Sequence, residues 1–250
     1  MLSLIGLGLN DEKDITLKGI EAAKAAKKVY AEFYTSYWHG SLKKLENIVG
    51  KKITVLDRKN LEEESKKIIE EAKKKNVAIF IQGDPLVATT HTMLVQEARK
   101  KKIKVNIIHN ASIISAVGET GLHLYKFGPT VTVPFPEKTK GKLPEYVYDV
   151  LLENKKRGLH TLCLLDVVAE EKKYMTASEA LKILLDLENK RKENVLSEET
   201  EVVVFANAGG KSSVVFDKVK YLMDKNFEKP MVLILPGNLH FTEKEFLEKV

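Results

Sequence analysis

Short apolar runs alternate with helix-length amphipathic segments through the first half of the chain, and nothing else in the sequence constrains the fold as strongly. Residues 2–9, 29–33, Ile53–Leu56, Val77–Ile81 and 103–108 read as strands. Between them lie helical patterns: from a cap at Asp14 to about Lys28, with Leu17, Ile20, Ala23 and Lys27 at helical spacing; Leu42–Val49, stopped by Gly50; residues 61–75, burying Leu61, Ile68, Ile69 and Ala72; and residues 89–102. Strands separated by helices must be joined by crossovers, so they pair in parallel. Val77–Ile81 contains no polar residue, as expected of a strand covered on both faces. The first half is therefore predicted to be an open parallel sheet flanked by helices.

After about residue 125 the rhythm changes. A short strand at Val131–Val133 precedes a Pro-, Lys- and Gly-rich loop at 134–144. A helix to Arg157, a strand at 162–168 and a long helix at 177–192 follow. Strands at 201–205 and Met231–Leu235 flank a weaker pattern at 214–223, and residues 243–250 read as a final helix. These strands lack regular helical connections, which favours antiparallel pairing in a mixed sheet. The expected fold class is thus α/β in two domains, residues 1–112 and 113–250, with a mostly parallel first sheet and a mixed second one.

Several classes of function are set aside by composition. The apolar runs are too short to span a bilayer, and the N-terminus lacks the basic region of a signal peptide and reads as a strand. One cysteine, Cys163, excludes an internal disulfide and a multi-thiolate metal site, and fits a reducing cytoplasm. The formal charge of +6 invites a nucleic-acid reading. However, Lys66, Lys67, Lys73, Lys74 and Lys75 interleave with Glu62, Glu63, Glu64, Glu70 and Glu71, the pattern of a solvated helix face laced with ion pairs. No direct nucleic-acid binding is expected, although a non-catalytic basic nucleic-acid-binding protein is a rival reading. No metal site is expected, because His91, His109, His123, His160 and His240 lack ligand spacing. The patterns of a serine-hydrolase elbow and a Walker A loop are missing too.

Chemistry is expected in loops that follow strands. Gly6-Leu7-Gly8 stands where a dinucleotide fingerprint would begin, but Asp11 replaces its third glycine, leaving a tight turn or a ligand contact as alternatives. Glu32, ending the second strand, could imitate the ribose-binding acid of that fingerprint. Gly83-Asp84-Pro85-Leu86-Val87-Ala88-Thr89-Thr90-His91 follows a buried strand and precedes a helix, at the sheet edge where open α/β proteins hold ligands. There Asp84 starts the turn and Thr89 or Thr90 can cap the helix, whether or not the loop also touches a ligand. His109-Asn110-Ala111-Ser112 also follows a strand. Ser112 could cap a short helix or meet a ligand, and His109 reads more readily as a structural hydrogen-bonder than as a catalyst. Cys163, within an apolar run, reads as inert core.

Taken in order, these segments resemble the diphthine synthase family of the tetrapyrrole methylase superfamily. The resemblance is carried by Ile5-Gly6-Leu7-Gly8-Leu9 with residues 14–19, by Tyr30-Ala31-Glu32-Phe33-Tyr34-Thr35-Ser36, by the 83–91 and 109–113 blocks, and by residues 158–162, 164–166 and 236–240. Thr120-Gly121-Leu122-His123-Leu124-Tyr125-Lys126-Phe127-Gly128 is the most distinctive block, because general tetrapyrrole methylases do not carry it. That argues against a precorrin or ribosomal-RNA methyltransferase of the same superfamily, the nearest alternative.

The resemblance implies a tetrapyrrole-methylase-like fold and a homodimer, with S-adenosyl-L-methionine held in a cleft between the two domains and S-adenosyl-L-homocysteine released. It implies methylation of the amino group of a 3-amino-3-carboxypropyl-modified histidine of translation elongation factor 2; in the archaeal type this is trimethylation to diphthine, in diphthamide biosynthesis. Carried over residue by residue, the cofactor contacts fall on Leu9, Asp84, Val87, Ser112, Ile113, Leu165, Ala208 and Met231. This chain has Ala206-Asn207-Ala208-Gly209 where the family has Ala-Arg-Ala-Gly, and Met231 where histidine is common; a main-chain contact would survive either change. No catalytic base is assigned.

Overall fold

The computed structural model describes all 250 residues, which form two compact units, Met1–Ala116 and Val117–Val250. No helix is long and apolar enough to cross a membrane.

The first unit contains β1 (Leu2–Gly6), α1 (Leu17–Ala25), β2 (Lys28–Glu32), α2 (Leu42–Val49), β3 (Ile53–Leu56), α3 (Arg58–Glu62), α4 (Lys66–Lys74), β4 (Val77–Ile81), α5 (Thr92–Lys100), β5 (Val105–Ile108) and α6 (Ile113–Ala116). Its sheet runs β3-β2-β4-β1-β5 with every pair parallel, as the alternation predicts. All of β4 is buried, and β1 lies at its centre-right between β4 and β5. On one face Ile5, Val29, Ala78 and Phe80 pack with Ala23 of α1 and Leu45 of α2. Successive strand residues face opposite ways, so Tyr30 turns to the other face, where its hydroxyl donates to Glu71 of α4 at 2.6 Å.

Three helix boundaries differ from those the residue types predict. Thr16, not Asp14, caps α1: its hydroxyl accepts from the Gly19 amide, whereas the Asp14 carboxylate turns back to the amides of Asn10 and Asp11. The helix expected over residues 61–75 is two helices. Asp57 and Asn60 form a capping box that starts α3 early, and the Ser65 hydroxyl bonds Glu97 of α5 where α4 begins. Neither Thr89 nor Thr90 caps α5, which starts at Thr92; the Thr89 hydroxyl is bonded to the His91 ring instead. The charged face of α4 does carry ion pairs, Lys67–Glu64, Lys73–Glu70 and Lys75–Glu71.

The second unit comprises β6 (Val131–Val133), α7 (Glu145–Lys156), β7 (Thr161–Leu165), β8 (Val167–Val168), β9 (Lys173–Tyr174), α8 (Ala177–Arg191), β10 (Glu201–Ala206), β11 (Ser213–Lys218), α9 (Val219–Leu222), β12 (Met231–Leu235) and α10 (Phe241–Leu247). Its main sheet runs β11-β10-β12-β7-β6, antiparallel except for the β6–β7 pair, so it is mixed. The strand expected over 162–168 ends at Leu165, because Asp166 turns the chain. Its carboxylate accepts from the Phe135 and Val167 amides and pairs with Lys138. The weak pattern at 214–223 resolves into β11 followed by the short α9. Tyr148, Leu181, Leu184, Val204 and Leu233 form the heart of this core. Cys163 lies in it, fully buried, its thiol pushed up to about 12 by burial.

Candidate functional site

In the first sheet β1 leads across β4 to β2, while β4 leads across β1 to β5. The two crossovers leave neighbouring strands in opposite senses and, being right-handed, lie on opposite faces of the sheet; open α/β sheets hold ligands outside the strand ends where the direction of winding switches. The loops there are residues 7–12 and 82–90. They touch through paired amides and carbonyls of Gly8 and Gly83, at 3.2 and 2.9 Å. Both glycines have positive φ, +82° and +64°, which side chains disfavour. A Cβ on Gly6 would meet the Gly83 carbonyl oxygen at 2.5 Å and the Asn110 Cβ at 2.7 Å. Bare backbone is what lets three loops close on one another.

Asn110 fastens this junction. Its side-chain amide donates to the carbonyls of Gly6 and Asp14, both at 3.0 Å. Asp84, 6% exposed, joins β4's loop to β5's. Its Oδ2 accepts from His109 Nδ1 at 2.7 Å and from the Asn110 amide at 3.2 Å, and its Oδ1 accepts from the Leu86 amide at 2.9 Å. The sequence predicts His109 to be a structural hydrogen-bonder. The ring does bond Asp84, yet it stays largely exposed.

Behind this edge sits a second set of polar groups. Glu32 is completely buried, and burial pushes its carboxyl up to about 7 although Thr35 and the amides of Tyr34, Thr35 and Gln82 donate to it. Completely buried, Glu32 offers no surface to a ribose, which overturns the dinucleotide reading of that residue. His91 bonds Thr89, the Tyr34 hydroxyl and the Pro85 carbonyl; burial lowers its ring to about 4, so it is neutral. It ties the 83–91 loop to the loop after β2. The side-chain amide of Gln82 is buried and makes no hydrogen bond within the protein.

Of the residues proposed to touch a cofactor, Leu9, Asp84, Val87, Ser112 and Ile113 fall on loops at the carboxyl edge of the first sheet, with Ser112 buried and Leu9 half-buried. Leu165, Ala208 and Met231 share one edge of the second sheet: the ends of β7 and β10 and the start of antiparallel β12. The Met231 side chain belongs to the second core, so a ligand could meet only its main chain. Asn207, beside Ala208, holds a positive φ of 52°, a conformation asparagine tolerates better than most residues. An adenosyl amino acid needs bare backbone, hydrogen-bonding partners and a carboxylate, and the glycine junction, the orphan Gln82 amide and Asp84 fit it. No group of three His, Cys, Asp or Glu side chains is gathered that could hold a metal.

One constellation has no signature in the sequence. His123, His160 and His240, isolated in sequence, converge in the second unit on Glu243. That carboxylate accepts from the amides of His123 and His240, from His160 Nε2 at 3.0 Å and from Lys126. Burial alone would raise it, but Lys126 and these donors hold it down at about 2. In the structure His240 and Glu243 close a capping box at the start of α10, with histidine where serine or threonine is usual; no local pattern signals the arrival of His160 and Lys126.

A family model for tetrapyrrole (corrin/porphyrin) methylases matches residues 1–221. The chain is 51% identical over 253 residues to the diphthine synthase of Methanocaldococcus jannaschii, covering 99% of this chain and 98% of that one. It is 50% identical over 251 residues to the diphthine synthase of Methanococcus maripaludis (strain DSM 14266), covering 99% and 98%. A crystal structure of diphthine synthase superposes with a TM-score of 0.89 at 37% identity, covering 99% of this chain and 94% of that one.

Proposed function

The chain belongs to the tetrapyrrole methylase family and, within it, to the diphthine synthases, and from that premise we propose that it methylates the amino group of a 3-amino-3-carboxypropyl-modified histidine on translation elongation factor 2. Membership establishes the coarser activity, S-adenosylmethionine-dependent methyl transfer in diphthamide biosynthesis. The protein substrate, trimethylation to diphthine, a homodimer and a cytoplasmic setting are our reading. Identities of 51% and 50% to diphthine synthases, each spanning 99% of the chain, carry it.

S-adenosylmethionine, when bound, supplies a methyl carbon already activated by a positive sulfur. The protein's work is then to bind, align and exclude water. We assign Leu9, Asp84, Val87, Ser112 and Ile113 to cofactor binding, with Leu165, Ala208 and the Met231 main chain completing the set. The buried Glu32 and His91 act indirectly, by fixing the backbone of the loops that carry Asp84 and Val87.

The test is transfer of labelled methyl from S-adenosylmethionine to elongation factor 2 bearing the carboxypropyl arm, with mass spectrometry of the modified peptide. Mass gains in whole methyl units, ending at three, are expected. Label on a precorrin or on ribosomal RNA, and none on the factor, would overturn the reading.

A further inference from the structure

Resting on that reading, we propose that His109 is the general base that removes a proton from the substrate ammonium, with Asp84 orienting its ring. A carboxylate only accepts hydrogen bonds, so the 2.7 Å contact from His109 Nδ1 to Asp84 Oδ2 places the ring's proton on Nδ1. In the neutral ring the lone pair is thereby left on Nε2, on the opposite side from Asp84. Asp84 is itself fixed by the amides of Leu86 and Asn110, so the pair is rigid at its buried end. At the other end the His109 side chain is 67% exposed against 7% for Asp84. Most of the ring is therefore open to an incoming group. This arrangement, a buried acceptor orienting an imidazole whose far nitrogen is open, is how a base is held ready for an incoming acid.

The position suits the chemistry. His109 follows β5 and Asp84 follows β4, on either side of β1 and beside the backbone junction assigned to the cofactor. Asp84 is the ionisable group that faces the ring; the flanking Leu86, Asn110, Ala111 and Ser112 carry no charge, and the Asp14 carboxylate is turned to Asn10 and Asp11. In the step, the Nε2 lone pair bonds a proton of the alkylammonium, and the N–H electrons stay on the amine nitrogen. Those electrons form the new N–C bond as the carbon–sulfur bond breaks, its pair remaining on sulfur, which becomes a neutral thioether. The exposed imidazolium returns its proton to water, ready for another methyl transfer.

His109→Asn separates this role from a structural one, because the asparagine amide can still donate to Asp84 but has no basic nitrogen. At neutral pH we expect its kcat to fall about 100-fold or more, with calorimetric affinity for S-adenosylmethionine within about two-fold of the parent protein, since the Asp84 loop is kept. The loss should shrink as pH rises and the amine sheds its proton unaided. Added imidazole should restore part of the rate in His109→Ala. Independently of activity, ¹⁵N spectra of the ligand-free protein should show His109 protonated on Nδ1. Wild-type kcat in His109→Asn across the pH range, or an Nε2–H ring, would overturn the proposal while leaving the methyltransferase reading intact. A parent protein that transfers no methyl to the factor would overturn both.

Discussion

Gly6 has room for no side chain, since a Cβ there would collide with the Gly83 carbonyl and with Asn110. Asp84 and His109 come from strands on opposite sides of β1, and they meet across its end because that end is bare. Gly6→Ala should therefore part the loops. We expect S-adenosylmethionine affinity to fall at least ten-fold by calorimetry, with the far-ultraviolet circular dichroism unchanged. Glu32 offers a second test, through pH. Its folded carboxyl is raised to about 7 by burial, so the folded state holds this proton where the unfolded chain has released it. Its contribution to stability is full below the ordinary carboxylate range and is lost as pH rises toward about 7. Glu32→Gln removes the titration. The parent protein should lose stability relative to this variant over that window, by on the order of 3 kcal/mol, as measured by urea unfolding at several pH values.

Among the elements, the long helix α8 shows how a local signal survives into the fold. Thr176 accepts from the Glu179 amide and Glu179 reaches back to the Thr176 amide, closing a capping box. Thr176→Ala should cost about 1 kcal/mol, read as a lowered unfolding midpoint with methyl transfer unaffected. The same kind of signal misled at Asp14 and Thr89. Each is a sound cap by residue type, but each finds a better partner in a neighbouring loop: the Asn10 amide for Asp14, the His91 ring for Thr89. Propensity ranks what a residue can do at a helix end, and a competing hydrogen bond decides what it does. The division of residues 61–75 has the same origin, since the Ser65 hydroxyl is drawn to Glu97 on another helix.

For the whole molecule, the formal charge of +6 gives no direct guide to function; along α4, for instance, Lys67, Lys73 and Lys75 are each paired with a neighbouring glutamate. Such exposed pairs contribute little each. Ligand linkage is a sharper probe. S-adenosylmethionine at a hundred times its dissociation constant should stabilise the folded protein by about 2.7 kcal/mol, seen as a raised melting temperature. NAD at the same concentration should leave the melting temperature unchanged, because Gly6-Leu7-Gly8 lacks its third glycine and Glu32 is spent on Thr35 and on its neighbours' amides. Equal stabilisation by NAD would return the dinucleotide reading to contention.

The chain's periodicity by itself determined a parallel first sheet and a mixed second one, because side-chain burial repeats at the period of the backbone and is written locally. The ordered loop blocks likewise carried the family, since residues in contact with one backbone turn lie close in sequence. Tertiary structure alone decided which loops meet. Strand order sets β4 and β5 on either side of β1, and so joins Asp84 to His109 across 25 residues; the second unit brings Lys126 and His160 to Glu243 in the same manner. Those unions fix which carboxylate is satisfied and which imidazole nitrogen is left open. They depend on distances between strands that no local pattern encodes.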